Sequence, residues 1–330
     1  TTRGFGTGGG GTGADGSGVP GCGVSGKGVC TVMTLTAFLL VFLSVFLHAI
    51  WNFLSKKTNP SGAFYLLSST TAALLWLGFF LSTELSFSSL PVRFWVLLAC
   101  SIACEAVYCL GLAHAYRVAD ISLAYPLGRA LPVLMIAAVT ILLGLGNRPS
   151  GIAIAGMGIM SCGCLLLPLR TMRDFHWRTY TGKAFFFLLM IAAGTTGYTI
   201  LDSQASAILQ TLPGESALRK SLIYLFFIES GIALVLGGYV LAVPMEHREF
   251  KRLFLRSPYP VLTGLCSSTA YALILLAMRH VSNVSYIQAF RQMSLPLGVF
   301  AGIVLLKESP AKPKLAGVAL IVAGLVMTAL

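Results

Sequence analysis

Two arginines lie in apolar stretches where a charged side chain has to be explained. Arg129 stands in "YPLGRALPVL", three residues before Pro132, and Arg291 stands in "FRQMSLPLGV", five residues before Pro296. A charged residue at mid-membrane costs roughly 2.5–3.5 kcal/mol on insertion scales, so it should face the protein interior or water. A guanidinium offers a fork of donors that fits a carboxylate or a phosphate. Both arginines are therefore candidates for binding an anionic or zwitterionic ligand.

Two glutamates give the arginines an alternative role. Glu105 and Glu229 also lie in apolar stretches, and either one could pair with Arg129 inside the protein. Arg129 could also extend along its helix to reach the membrane surface. A carboxyl group balanced between burial and a nearby arginine can exchange a proton, so proton coupling at the glutamates stays open beside a structural role. Asp202 is expected near a membrane surface, where helix capping or solvation satisfies it.

The composition indicates a helical membrane protein. Of 330 residues, 56% are hydrophobic and 10% are charged, against roughly 25% charged in an average soluble domain. The mean hydropathy is +0.83. Apolar runs of about 20 residues predict membrane spans, and continuous rather than alternating runs favour helices over a barrel. Ten spans are predicted, at about 34–54, 61–82, 94–116, 122–143, 150–168, 183–203, 219–243, 258–278, 284–306 and 312–330.

The net charge of +12 does not indicate nucleic-acid binding, because the basic residues lie in short connectors between the spans. By the positive-inside rule, the connectors richer in Lys and Arg face the cytoplasm, which puts both termini outside. Cys162 and Cys164 are read as small apolar residues, because no further His or Cys completes a metal site. We therefore predict no metal and no cofactor.

The sequence contains two related halves. "AFLLVFLSVFLHAIWNFLSK" matches "AFFFLLMIAAGTTGYTILDS", and further matches follow in the same order. They pair Trp51 with Tyr198, Tyr65 with Tyr224, Tyr108 with Tyr271, Pro132 with Pro296, and Gly156 and Gly163 with Gly317 and Gly324. Five spans per half is an odd number, so the second half must enter the membrane inverted. Inverted repeats are typical of secondary transporters, whose substrate site lies between the halves. The predicted repeats are residues 34–170 and 171–330.

Helical spacing then predicts which side chains line a central cavity. Residues three or four positions apart share a helical face, and such faces bring polar residues next to both arginines and next to His48. For His48 itself, an interhelical hydrogen bond is an equal alternative. The predicted substrate-binding residues are His48, Trp51, Asn52, Tyr125, Arg129, Tyr198, Gln288 and Arg291, with Glu105 and Glu229 as candidate coupling residues.

Two stretches also resemble a known family. "SYIQAFRQMSLPLGVFAGIVLLKESPAKPKLAGVALIVAG" is similar to the last two helices of the EamA family, in the drug/metabolite transporter superfamily, and "HAIWNFLSKK" resembles its first helix. The resemblance implies ten helices around a cavity, cytoplasmic termini and export of small metabolites. Gly144, in "LLGLGNRP", departs from the family pattern, which often has Glu there, so no role is carried to that position.

These observations predict a secondary transporter of the plasma membrane, the inner membrane in bacteria, rather than an enzyme. It would export a small polar or amphipathic metabolite by alternating access. The partners expected are the small-molecule substrate and the lipid bilayer. Two alternatives stay open. A lipid-linked sugar flippase would also use arginines in a cavity, and a membrane-embedded lipid-modifying enzyme would need catalytic groups clustered near a membrane surface.

The first 33 residues form a separate Gly-rich segment. It has few apolar side chains with which to build a core, so it is predicted to be disordered. "GSGVPG" resembles a dinucleotide-binding loop, but no strand precedes it and no helix follows. "GCGVSGK" resembles a phosphate-binding loop, but Gly28 stands where Ser or Thr should hold magnesium. We expect the functional chain to begin at Met33.

Overall fold

The computed structural model describes residues 33–58, 60–118, 121–169, 171, 183–305 and 311–330. The described part is helical and contains no strand beyond a single bridge between Met33 and Val281. The all-α prediction is therefore confirmed. The Gly-rich leader, residues 1–32, lies outside the described residues.

The described part of the chain consists mainly of α-helices. Short 3₁₀ turns occupy Phe87–Ser89 and Arg291–Met293. The helices are α1 (Leu35–Thr58), α2 (Gly62–Leu81), α3 (Val92–Val118), α4 (Ile121–Leu142), α5 (Gly151–Leu166), α6 (Lys183–Gln210), α7 (Ala217–Ala242), α8 (Pro244–Arg256), α9 (Tyr259–Met278), α10 (Val284–Phe290), α11 (Ser294–Leu305) and α12 (Lys312–Ala329).

Within the described residues, 7 helices are long and apolar enough to cross a membrane. They are α1, α2, α3, α6, α7, α9 and α12, and shorter apolar stretches cover Gly128–Leu142 and Gly151–Leu166. Three of the ten predicted spans are not among these seven, and the fourth span contributes only the stretch Gly128–Leu142. Helix α5 has only 16 residues, and the predicted ninth span is divided into α10 and α11 by the 3₁₀ turn that begins at Arg291.

Polar caps define where several helices begin. A Ser or Asn just before the first helical residue can accept a hydrogen bond from a free backbone N–H of the first turn. Ser61 Oγ accepts from Phe64 N, Ser150 Oγ from Ala153 N, Ser216 Oγ from Arg219 N, and Asn283 Oδ1 from Ser285 N. These caps fix the starts of α2, α5, α7 and α10.

Helices from the two predicted halves pack extensively on each other. The main helix pairs are α3 with α6, α5 with α12, α1 with α9, and α2 with α7. Between α5 and α12 the backbones themselves meet. A Cβ added at Gly163 would lie 2.7 Å from the carbonyl oxygen of Gly317, and one added at Gly156 would lie 2.6 Å from that of Gly324. Small residues allow this close approach, as is usual between membrane helices.

Large apolar side chains cover the outside of the helices. Leu39, Phe53, Leu74, Phe186 and Leu234 are all exposed. A soluble protein rarely exposes so much continuous apolar surface, whereas lipid would cover it. The exterior and the apolar helices together support the assignment to the membrane class.

Helix α8 was not predicted from the sequence. Its 13 residues are too polar for a span, and they were read as part of a connector. Two local signals favour a helix: Pro244 stands at its start and Glu246 in its first turn.

Candidate functional site

Two adjoining cavities occupy the middle of the helical bundle. The first is open-sided, encloses about 520 Å³ including its mouth, and is lined by His48, Asn52, Tyr108, Leu112, Ala115, Gly128, Arg129, Ile191, Thr195, Tyr198, Gln288 and Arg291. Both arginines line it, and no acidic residue of the described part does. This first cavity therefore has a cationic wall.

The two arginine-bearing segments are hydrogen-bonded to each other. Arg129 Nη2 donates to the carbonyl oxygen of Arg291 at 3.3 Å, and Gln292 Nε2 donates to the carbonyl oxygen of Arg129 at 3.1 Å. Pro296 has no N–H, so the carbonyl oxygen of Gln292, four residues earlier and within the 3₁₀ turn, lacks its usual helical donor. Ser294 Oγ also donates to the Arg291 carbonyl, at 3.0 Å. The break in the ninth span thus supplies a polar contact point for Arg129.

Arg291 is 8% exposed and lines both cavities. Its Nη1 donates to Gln288 Oε1 at 3.3 Å, and the Tyr198 hydroxyl is a further hydrogen-bond neighbour. Arg291 Nε is buried without a hydrogen-bond partner among the described residues. A buried donor left unpaired costs free energy, so Arg291 retains capacity to bind an incoming acceptor.

His48, Trp51 and Asn52 form one group on α1. Trp51 Nε1 donates to His48 Nδ1 at 3.0 Å, and Asn52 Nδ2 donates to the His48 carbonyl oxygen at 2.6 Å. His48 lines both cavities, Asn52 the first and Trp51 the second. The Trp51 bond fixes His48 Nδ1 as an acceptor, which leaves its Nε2–H as the donor.

The second cavity, of about 670 Å³ including the open space at its mouth, carries the acidic residues. Glu105 and Glu229 line it together with Arg291. Glu229 faces the hydroxyls of Ser69 and Ser268, whereas Glu105 Oε2 is buried without a hydrogen-bond partner among the described residues. Of the described residues, the two glutamates line only the second cavity and Arg129 lines only the first, whereas Arg291 lines both, where the cavities meet.

A row of tyrosine rings stands at this junction. The rings of Tyr108 and Tyr198 have centroids 5.7 Å apart, and those of Tyr198 and Tyr271 are 5.8 Å apart. Tyr108 and Tyr198 line both cavities, and Tyr271 lines the second. The sequence analysis did not assign Tyr108 or Tyr271 to the site. Their pairing in the repeat was the signal that could have found them.

The expectation for Asp202 was wrong. Its side chain is fully buried rather than solvated at a membrane surface. The carboxylate accepts hydrogen bonds from the hydroxyls of Ser101, Tyr224 and Tyr271. Asp202 therefore joins α6 to α3, α7 and α9, and it holds Tyr271 in the wall of the second cavity.

The structure thus brings nine of the ten predicted residues to the two cavities. The exception is Tyr125, which lies on α4 but whose side chain is outside the described part of the structure. Substrate binding and coupling by these residues stay predictions.

A scan against protein-family models finds no match, and a search of curated proteins finds none either. Among solved structures, 27 chains match. One is a crystal structure with a TM-score of 0.64 and 16% sequence identity, and the match covers 88% of this chain and 96% of that chain. At this identity the likeness extends to the fold alone.

Proposed function

We propose that this chain is a secondary transporter of the EamA type. It would export a small polar or amphipathic metabolite by alternating access, through ten membrane helices arranged as two inverted halves. The observation that carries the proposal is the central cavity, whose wall contains Arg129 and Arg291, each on the fourth predicted span of its half. Binding of substrate between inverted halves is typical of secondary transporters.

The helix contacts support the two-half arrangement. In the predicted repeat, α3 corresponds to α9 and α6 corresponds to α1. Replacing each helix by its counterpart therefore turns the α3–α6 pair into the α9–α1 pair, and both pairs are among the main contacts. The α2–α7 and α5–α12 pairs map onto themselves. The same exchange turns the contact between Gly156 and Gly324 into that between Gly317 and Gly163, and both are observed. A duplicated chain is expected to have this self-consistent pattern.

Contacts between connectors support the ten crossings. Four hydrogen bonds each join two segments from different parts of the chain. If every predicted span crosses the membrane once, both partners of each bond lie on the same side of the membrane. These bonds are Thr34 N to His280 O at 3.2 Å, Arg219 Nη2 to Ser82 O at 2.8 Å, Asn147 N to Ser282 O at 2.9 Å, and Ala63 N to Glu246 Oε2 at 2.9 Å. A crossing by α10 and α11 together would also agree with the antiparallel glycine contacts of α5 and α12.

The separation of charge supports a substrate with an anionic group. The cationic wall of the first cavity suits a carboxylate or phosphate, because a guanidinium presents a matching fork of donors. An amine on the same substrate would find Glu105 and Glu229 in the second cavity. We therefore favour anionic or zwitterionic metabolites, with the two glutamates as the coupling residues.

The proposal can be tested with purified protein and a panel of metabolites. An anionic or zwitterionic member of the panel should raise the melting temperature and should be transported by the protein in sealed vesicles. Stabilisation by lipid-linked sugars alone would favour a flippase. Chemical turnover of lipid without any transport would favour a membrane enzyme and contradict the proposal.

A further inference from the structure

Helix α8 is held at the membrane surface by the helices on either side of it. Helix α7 ends at Ala242 and α8 begins at Pro244, whereas α8 ends at Arg256 and α9 begins at Tyr259. Both neighbours have membrane-spanning length. With 13 residues, α8 is about 20 Å long, and connectors this short keep both of its ends at the level where α7 and α9 leave the bilayer.

One face of α8 is fixed to the bundle. Glu246, Phe250 and Leu253 are four and three positions apart, so they share a helical face. Glu246 and Leu253 are buried and Phe250 is partly buried against the core. The Glu246 carboxylate accepts a hydrogen bond from the backbone N–H of Ala63, at 2.9 Å, in the first turn of α2. This anchor determines which side of α8 points outward.

The outward side is basic and apolar together. Arg248, Lys251, Arg252 and Leu255 share the opposite face and are all exposed. Beside them, Met245 is 75%, Phe254 68% and Leu255 77% exposed. Cationic residues combined with exposed Met, Phe and Leu on a surface helix are typical of helices that lie in the headgroup region of a bilayer.

Most of the positive charge on α8 has no acidic partner. Glu249 pairs with Arg252 at 2.5 Å. Glu246 is engaged with α2, and Arg248, Lys251 and Arg256 have no ion pair within the described part of the chain. Three exposed cations on a helix of 13 residues, at the level of the headgroups, attract anionic phospholipid electrostatically.

We propose that the outer face of α8 is a binding surface for anionic phospholipid. Arg248, Lys251 and Arg256 would contact the phosphates, while Met245, Phe254 and Leu255 would lie at the boundary with the acyl chains. This proposal concerns the lipid around the protein and does not depend on the proposed transport activity.

Delipidated full-length protein in detergent provides the test. Phosphatidylglycerol should raise its melting temperature by roughly 3 °C or more beyond the effect of phosphatidylcholine. The difference should shrink in 0.5 M salt, because salt screens exposed charges. Native mass spectrometry should detect more phosphatidylglycerol than phosphatidylcholine bound per protein. Inorganic phosphate alone should produce no comparable stabilisation.

Matched variants locate the effect. The variant R248Q/K251Q/R256Q should lose most of the preference for phosphatidylglycerol. The variant R93Q/R148Q/R279Q removes the same charge from exposed positions in or beside connectors outside α8 and should keep the preference. Equal loss in both variants, no loss in the first, or a parent that binds both lipids equally would overturn the proposal. If the first variant folds poorly, the salt and lipid measurements on the parent protein still test the preference for anionic phospholipid.

Discussion

Arg129 and Arg291 lie on spans that are predicted to be equivalent, but they differ in their surroundings. Arg291 is buried and is held by Gln288 within its own segment. Arg129 is only partly buried, and its Nη2 reaches a backbone carbonyl on the other half. We infer that Arg291 forms the fixed part of the site and that Arg129 is the more accessible cation. Substitutions at Arg129 should therefore discriminate best between binding and structural roles.

If Arg129 binds an anionic group, the variants R129K and R129Q should both insert normally and both lose transport. Lysine keeps the charge but loses the planar fork, so the two cations are not equivalent at a bidentate site. Transport into vesicles and the amount of folded protein are the measurements. R148Q, at an exposed connector position, is the control. Near-normal transport by R129K with poor folding of R129Q would instead indicate a structural role.

Substitution of the glutamates in the second cavity should impair proton-driven transport without abolishing substrate exchange. Replacing Glu105 by Gln keeps the shape of the side chain but removes the exchangeable proton. E105Q should lose transport driven by a pH gradient while retaining exchange of substrate for substrate, and E229Q should behave similarly. E215Q is the control, because Glu215 pairs with Arg219 in a connector, at 3.2 Å. Equal loss of both activities would assign the glutamates to folding or binding.

Substitution of Asp202 should lower the stability of the protein by a large amount. D202A would leave three buried hydroxyls without their acceptor, and each unsatisfied group costs about 1–3 kcal/mol. D202N keeps one acceptor oxygen, so its melting temperature should fall less. S203A is the control, because the Ser203 hydroxyl donates to a carbonyl of its own helix, that of Ile200, at 2.7 Å. A melting temperature for D202A equal to that of S203A would show that the hydroxyl contacts contribute nothing.

Helical spacing predicted the cavity residues better than it predicted their partners. Spacing groups His48 with Trp51 and Asn52 because these residues share one helix, and the structure places all three at the cavities. Asp202 was misjudged because its three hydroxyl partners lie on three other helices. The sequence alone does not show which helices pack together, so it could not predict these hydrogen bonds to Asp202.

At the scale of elements, the two arginine-bearing spans differ more than their sequences suggested. In the structure, α4 continues through Pro132, whereas the second span is interrupted by a 3₁₀ turn at Arg291–Met293 before Pro296. The proline removes the same backbone donor in both spans. The hydrogen bonds that join the 3₁₀ turn to α4 depend on tertiary packing, so the sequence could not locate the break.

The α5–α12 contact predicts a sharp difference between two glycines of the same helix. G163A should destabilise the protein by about 1–3 kcal/mol, because its Cβ would meet the Gly317 carbonyl oxygen at 2.7 Å. G158A should be neutral or slightly stabilising, because nothing lies within 4 Å of a Cβ there and Ala favours a helix. Melting temperatures in one detergent provide the comparison. Equal values would mean that the two helices can separate without cost.

At the scale of the whole molecule, the sequence predicted the membrane class but did not decide the orientation. Hydropathy identifies apolar helices directly, and the all-helical architecture follows from it. Orientation is weaker, because the positive-inside rule puts both termini outside whereas the family resemblance implies that they are cytoplasmic. If the ten proposed crossings hold, the hydrogen-bonded connectors fall into two sets on opposite sides of the membrane. The positive-inside rule and the resemblance then differ only in which set faces the cytoplasm.

Cysteine labelling tests both parts of this arrangement. Arg148 belongs to the set that meets the α9–α10 connector, and Arg256, at the end of α8, belongs to the opposite set. With the basic set in the cytoplasm, an impermeant maleimide should label R148C in intact cells and R256C only after permeabilisation. The parent protein measures labelling of its native cysteines. Reversed accessibility would keep the ten crossings but place the termini in the cytoplasm, as the resemblance implies. Labelling of both positions from one side would contradict the ten crossings and, with them, the inverted repeat on which the proposed transport mechanism depends.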